Sequence, residues 1–190
     1  GYFVNDSKTA GSTTVSHLRC GKDRILNPYL VSKANFIACH NTSFLEKFDM
    51  LSNAEEGATF LLTTSTKKDE AWDSLPVEVQ EHLINKKMRF YIIDATSLAE
   101  EIGMGSRINT IMQTAFFVIS GIIPKEDAVA AIKKELKKTY IKKGEDMVNM
   151  NYASVDKALQ NIVEVPVPAK VTSKISMRKP VPDDAPDFVK

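Results

Sequence analysis

Residues Arg89 to Ala95 run Arg-Phe-Tyr-Ile-Ile-Asp-Ala, and the four consecutive large apolar side chains at their centre constrain the fold more than any other stretch. A strand with one wet face alternates polar and apolar residues, whereas an unbroken apolar run needs cover on both faces. Arg107–Ser120 supplies one cover. It is nearly all apolar, with Ile108, Ile111, Met112, Ala115, Phe116 and Ile119 at helical spacing, so it predicts a helix buried on most sides. Pro124–Lys143 predicts another helix. Glu126 and Asp127 suit its positive end, and Val129, Ile132, Leu136 and Tyr140 form a stripe. Lys137, Lys138, Lys142 and Lys143 suit its negative end, and Gly144 stops it.

The rest of the chain fits around this frame. Tyr2–Val4, Thr13–Arg19, Asn35–His40 and Ala58–Thr64 read as strands. Gly21 to Pro28 reads as a turn-rich link. Ser43–Phe48 reads as a short helix capped by Thr42 or Ser43, and Pro76–Lys87 as a helix capped by Ser74. Thr96–Ile102 and Ser154–Val163 complete the set, with Gly103-Met104-Gly105 ending the former. Strands interleaved with helices imply an α/β domain, a three-layer α/β/α arrangement around a mixed or mostly parallel sheet. From Val165 onward prolines recur at 166, 168, 180, 182 and 186 and periodicity is lost. Residues 165–190 are therefore expected to be an extended linker toward a next domain, loosely held by this one. The chain starts on Gly1, in strand-like sequence, and not on Met. It is expected to be a piece of a longer polypeptide.

Several function classes fall away. With 25 Lys and Arg against 24 Asp and Glu, no net field favours nucleic acid or an anionic membrane. No apolar run approaches the roughly 20 residues of a membrane span. Two cysteines, Cys20 and Cys39, are too few for a disulfide framework or a cysteine-ligated cluster, and reduced thiols in a cytoplasmic setting are the expectation. The sequons at Asn5 and Asn41 stand without a secretory signal and are read as chance matches.

Two stretches could carry chemistry. Gly103-Met104-Gly105-Ser106-Arg107 precedes the buried helix, and glycines there would let an anion reach the free N–H groups of the helix start, with Ser106 and Arg107 as added donors. The plainer reading is a helix stop followed by a cap. In Ser16-His17-Leu18-Arg19, alternation puts His17 and Arg19 on one face. His17 could act in acid–base chemistry, but no carboxylate pairs with it in sequence, and a structural or interface histidine is the simpler reading. Cys39-His40 lacks the remaining ligands of a zinc set. His82, beside Glu78 and Glu81, reads as solvated, and the lysines of 133–143 as a wet helix face. Gly144-Glu145-Asp146 with Asn149 and Asn151 has the wrong order and spacing for a thiamine-diphosphate magnesium motif.

Beyond this point a resemblance takes over. Gly1–Lys8, Gly11–Arg19, Pro28–Val31, Asn35–His40 with Leu45–Asp49, and Gly105–Phe117 together resemble the pyruvate:ferredoxin (or flavodoxin) oxidoreductase family. The similarity is to its gamma-type domain, the third domain of the single-chain enzymes, over residues 1–164 and lacking an initial Gly-rich segment. The resemblance implies an oxidoreductase that converts pyruvate and CoA to acetyl-CoA and CO2. Its thiamine diphosphate, magnesium and iron–sulfur clusters would lie in other domains, with none in this chain, and ferredoxin or flavodoxin would take the electrons. The implied partners are those other domains in a homodimeric parent. This chain alone is expected to be inactive, with no catalytic residue of its own. Its implied part is to help position CoA through Lys8, Thr9, Ser106, Arg107 and Asn109, with Ser16, His17 and Arg19 facing an interface or the active site. The alternative is an α/β interaction module with no small-molecule ligand.

Overall fold

The computed structural model describes residues 2–5, 14–21, 24–25 and 30–178. The chain divides into two compact units, Gly1–Ala34 and Asn35–Lys190. In the first, strands β1 (Tyr2–Asn5) and β2 (Thr14–His17) pair antiparallel, with Phe3 opposite Ser16 and Val4 opposite Val15.

The second unit is built on a sheet of order β3-β4-β5-β6: Ala34–Cys39, Ala54–Thr63, Arg89–Ile93 and Val163–Val165. β4 and β5 run parallel, in a register that sets Phe60 beside Phe90, Leu61 beside Tyr91 and Leu62 beside Ile92. β6 closes against β5 in the antiparallel sense. The apolar run 90–93 is thus an interior strand, and its side chains alternate between two cores. Phe90 and Ile92 join Phe60 and Leu62 on one face, under α1 (Lys68–Ala71) and α2 (Val77–Asn85). Tyr91 and Ile93 join Leu61 on the other, under α3 (Ala95–Glu101), α4 (Asn109–Ser120) and α6 (Glu145–Asn161). α5 (Lys125–Tyr140) packs outside these through Ile132 and Leu136 against Val155. Helices cover both faces of a mixed sheet, so the three-layer expectation holds.

The differences lie at the ends of elements, some with local causes and some with distant partners. β4 starts four residues before Ala58, because Gly57 takes φ +75° inside the strand and does not end it. Asn41, not Thr42 or Ser43, caps the turn Thr42–Phe44, its Oδ1 accepting from Ser43 N–H at 3.0 Å. Ser74 does not cap α2, since its hydroxyl donates to the Ala71 carbonyl at 2.8 Å and Pro76 takes the capping position. α4 opens at Asn109, two residues after Arg107. α6 begins nine residues earlier than Ser154, because Asn151 is a fully buried helix residue and not a loop residue. Finally, the stretch expected to be a loose linker is extended as far as Arg178, and its residues 172, 173, 175 and 177 are hydrogen-bonded to α2. Residues 179–190 lie outside the described part.

Candidate functional site

α3 ends in a left-handed turn at Gly103, φ +77°. Gly103 N–H donates to the Glu100 carbonyl at 3.0 Å and Met104 N–H to the Ala99 carbonyl at 2.8 Å, the paired bonds of a Schellman stop. Met104 turns inward and is buried. A Cβ on Gly103 would come within 3.1 Å of Met150 Cε, so glycine here answers to both conformation and space. The plainer sequence reading is therefore right for Gly103. Gly105, φ +59°, then turns the chain out with open space around it.

Ser106, Arg107 and Asn109 follow on the surface, all exposed. Arg107 holds its backbone by donating N–H to the Met104 carbonyl at 3.3 Å. Among the described residues its guanidinium has only a long contact, Nη1 to Met147 Sδ at 4.0 Å. α4 opens without a side-chain cap and without an acidic residue in its first turn, whereas α5 opens with Glu126 and Asp127 and α6 with Glu145 and Asp146. Among the described residues no acceptor reaches the backbone N–H of Asn109, Thr110 or Ile111. The start of α4 thus combines a guanidinium, a hydroxyl, an amide and uncompensated helix donors, a set suited to an anion.

Beneath it α6 supplies a floor that the sequence reading missed. Thr110 Oγ1 donates to Asn151 Oδ1 at 3.0 Å, and Asn151 Nδ2 donates to the Met147 carbonyl at 2.8 Å. Thr114 and Ser154, also fully buried, bond back to the Thr110 and Met150 carbonyls. This polar seam locks α4 to α6 and so fixes where Arg107 emerges. Only the helical spacing of Met147, Asn151, Ser154 and Val155 could have revealed it.

Lys8 and Thr9 lie outside the described residues. Ser16, His17 and Arg19 belong to the first unit, where His17 Nδ1 accepts from Val31 N–H at 3.1 Å and Arg19 Nη2 donates to the Leu30 carbonyl at 2.7 Å. Both side chains hold the 30–31 backbone, while Ser16 is exposed. Cys39 is buried, donates to the Asn41 carbonyl at 3.0 Å, and burial pushes its thiol up to about 11. His82 is not simply solvated; its Nε2 lies 3.1 Å from Asp49. Among the described residues no three His, Cys, Asp or Glu side chains converge as a metal would need. The described residues do not fit a cluster or a thiamine-bound magnesium. No helix among the described residues is long and apolar enough to cross a membrane.

The family model for pyruvate ferredoxin/flavodoxin oxidoreductase matches residues 1–161. The chain belongs to that family. It is 48% identical over its whole length to a putative pyruvate-flavodoxin oxidoreductase of Synechocystis, and 46% to the pyruvate-flavodoxin oxidoreductase of Rhodospirillum rubrum. It is 43% identical to the pyruvate:ferredoxin oxidoreductase of Moorella thermoacetica. The chain spans 16% of the length of each of these relatives. Among solved structures, the pyruvate oxidoreductase subunit PORC of Thermotoga maritima aligns with a TM-score of 0.55 at 16% identity, covering 70% of this chain and 66% of that one. At that identity the likeness speaks for the α/β fold alone.

Proposed function

We propose that this chain is the gamma-type domain of an enzyme that oxidatively decarboxylates pyruvate onto CoA, giving acetyl-CoA and CO2 and passing an electron pair to ferredoxin or flavodoxin. Thiamine diphosphate, with its magnesium, and the iron–sulfur clusters belong to other domains of a homodimeric parent, and the chemistry at the reacting carbon happens there. This chain's part is to hold the anionic end of CoA. The observation that carries the reading is the exposed, acid-free start of α4, with Ser106, Arg107 and Asn109 around it, in a chain of this family. Lys8 and Thr9 are assigned to the same task on the resemblance of their stretch, and Ser16 to an interface beside the His17 and Arg19 anchors.

CoA ends in a phosphorylated adenosine diphosphate, and each charge-assisted hydrogen bond to phosphate contributes roughly 1.5–3 kcal/mol. Binding at a remote handle of the substrate lowers KM for CoA without touching the pyruvate step. In the parent enzyme, Arg107→Ala is expected to raise KM for CoA by about one to two orders of magnitude. KM for pyruvate should stay within about twofold. A folded Arg107→Ala enzyme with unchanged CoA dependence would reduce Arg107 to a helix-start residue and sink the assignment.

A further inference from the structure

An extended segment leaves its backbone polar groups to be satisfied from outside. Past β6 the chain forms no helix or strand up to Arg178, yet between Thr172 and Arg178 several of its backbone groups find partners outside the segment. Thr172 N–H and Ser173 N–H both donate to Gln80 Oε1, at 2.9 and 3.1 Å. The Ile175 carbonyl accepts from Val77 N–H at 2.7 Å. Met177 N–H donates to Glu78 Oε2 at 3.0 Å. Arg178 N–H donates to the Glu46 carbonyl at 2.7 Å, and its guanidinium lies 3.4 Å from the Glu46 carboxylate. The Thr172 hydroxyl meets Asp73.

Gln80 is the informative residue. It is 0% exposed, on a helix whose other buried residues are Val79 and Leu83. Its Nε2 donates to the Trp72 carbonyl at 2.6 Å, which fixes the amide so that Oε1 faces the segment. Among the described residues the segment's two N–H groups are the only donors to that oxygen. Burying an amide oxygen without a donor is costly, so a buried Gln80 requires the segment in place. Two successive N–H groups converging on one acceptor form a small electropositive hollow. Apolar anchoring is secondary, since Val171 and Ile175 remain 38% and 43% exposed. Charge agrees with the hydrogen bonds at Arg178, which meets the Glu46 carboxylate, while Asp73 and Glu78 accept from the Thr172 hydroxyl and the Met177 N–H.

We propose that the surface made by Glu46, Asp73, Glu78 and Gln80 is a docking site for an extended basic segment. Its occupant is residues Val171–Arg178 of the same chain. The site reads main-chain geometry, with Gln80 as the reader, and it fixes the course of the polypeptide away from β6. Residues 171–178 are then part of the domain and not a tether.

Trypsin tests this directly, because the bonds after Lys170 and Lys174 lie in or beside the docked segment and a protease needs the chain locally undocked. In the intact chain, cleavage after Lys174 is expected to be at least about tenfold slower than in a free peptide of residues 168–182. Gln80→Ala should abolish that protection. Because this change also disturbs the core, Ser173→Pro is the cleaner variant. It acts on the segment side only, removing the Ser173 N–H and the hydroxyl that accepts from Ile175 N–H, and should restore cleavage after Lys174 with the circular dichroism spectrum unchanged. Cleavage of the intact chain at the peptide's rate would overturn the proposal. So would a Ser173→Pro chain that stays as protected as its parent.

Discussion

The two faces of the sheet are covered in different ways. One carries α3, α4 and α6 with α5 outside them, and the three largest of these helices have 12, 16 and 17 residues. Such helices satisfy nearly all their own backbone groups, so the layer's one buried cross-bond between helix side chains among the described residues is the Thr110–Asn151 seam, with Lys133–Asp156 and Lys157–Glu101 at its surface. The other face carries a three-residue 3-10 turn, a four-residue α1 and a nine-residue α2. Elements that short are mostly ends, and side chains make up the deficit. Lys86 Nζ donates to the Leu51 and Ser52 carbonyls at 2.7 Å each, and Gln80 bridges Trp72 to the docked segment. Where elements are short, helix side chains hold the fold through other residues' backbones, and single substitutions should cost most there.

The largest expected effect puts this contrast at risk. Gln80→Ala strands the Trp72 carbonyl and two N–H groups at once and opens a cavity. With roughly 1–3 kcal/mol for each buried group left unpaired, the loss should be about 3–4 kcal/mol in urea denaturation of the chain. Asn151→Ala, on the regular face, strands one hydroxyl and one carbonyl that already sits in a helical ladder. It should cost about 2 kcal/mol. If Asn151→Ala proves the more damaging of the two, the side-chain bonds of the short-element face are not what holds it.

The same contrast marks what the sequence makes legible. β5, α4 and α5 are visible because unbroken or periodic apolar runs report their own burial, with no knowledge of partners. The first half of α6 is hidden because Asn151 looks like a loop residue until Thr110 arrives from 41 positions away. The docked segment is hidden for the same reason: Thr172 meets Gln80 across 92 positions, and prolines nearby imitate a linker. At the candidate site the turn glycines and exposed donors are legible, because positive φ and helix starts are local matters. The use of His17 and Arg19 on the 30–31 backbone is not, since a hydrogen bond to a main-chain group leaves no residue-type signature.

A middle-sized effect compares the two faces at equivalent points, the ends of α2 and α3. Both helices stop in the same way, Met88 N–H reaching the Leu83 carbonyl at 2.9 Å as Met104 N–H reaches Ala99 at 2.8 Å. The left-handed residue is Gly103 at one end and Lys87, φ +49°, at the other. A side chain in that conformation costs roughly 1–2 kcal/mol. Gly103→Ala should therefore lower stability by about 1–2 kcal/mol, near the upper figure because Met150 must also give way. Lys87→Gly should do the reverse and raise Tm by about 2 °C, despite the lost contact to Glu56. A Lys87→Gly chain that melts earlier would mean that the Lys87–Glu56 pair matters more than the strained backbone it sits on.

The smallest effect tests whether the long-helix face relies on polar contacts at its surface. Lys133 of α5 reaches Asp156 of α6, Nζ to Oδ1 at 2.6 Å, and lies over the Tyr152 ring at 5.6 Å. Both side chains are substantially exposed, at 31% and 52%, so water and salt screen the pair and the expected contribution is below about 1 kcal/mol. The lysine stem, however, must reach across to α6 to set its ammonium on Asp156 and over the Tyr152 ring. Lys133→Met keeps a stem of similar reach and removes the charge. It should change stability by less than about 0.5 kcal/mol, and the difference should vanish at high salt. Lys133→Ala removes the stem as well and should cost more, by an amount that salt does not alter. If Lys133→Met instead loses more than about 1 kcal/mol, and loses less as salt rises, then α5 is held by charge in addition to its apolar stripe. The regular face would then depend on side-chain polar bonds much as the short-element face does.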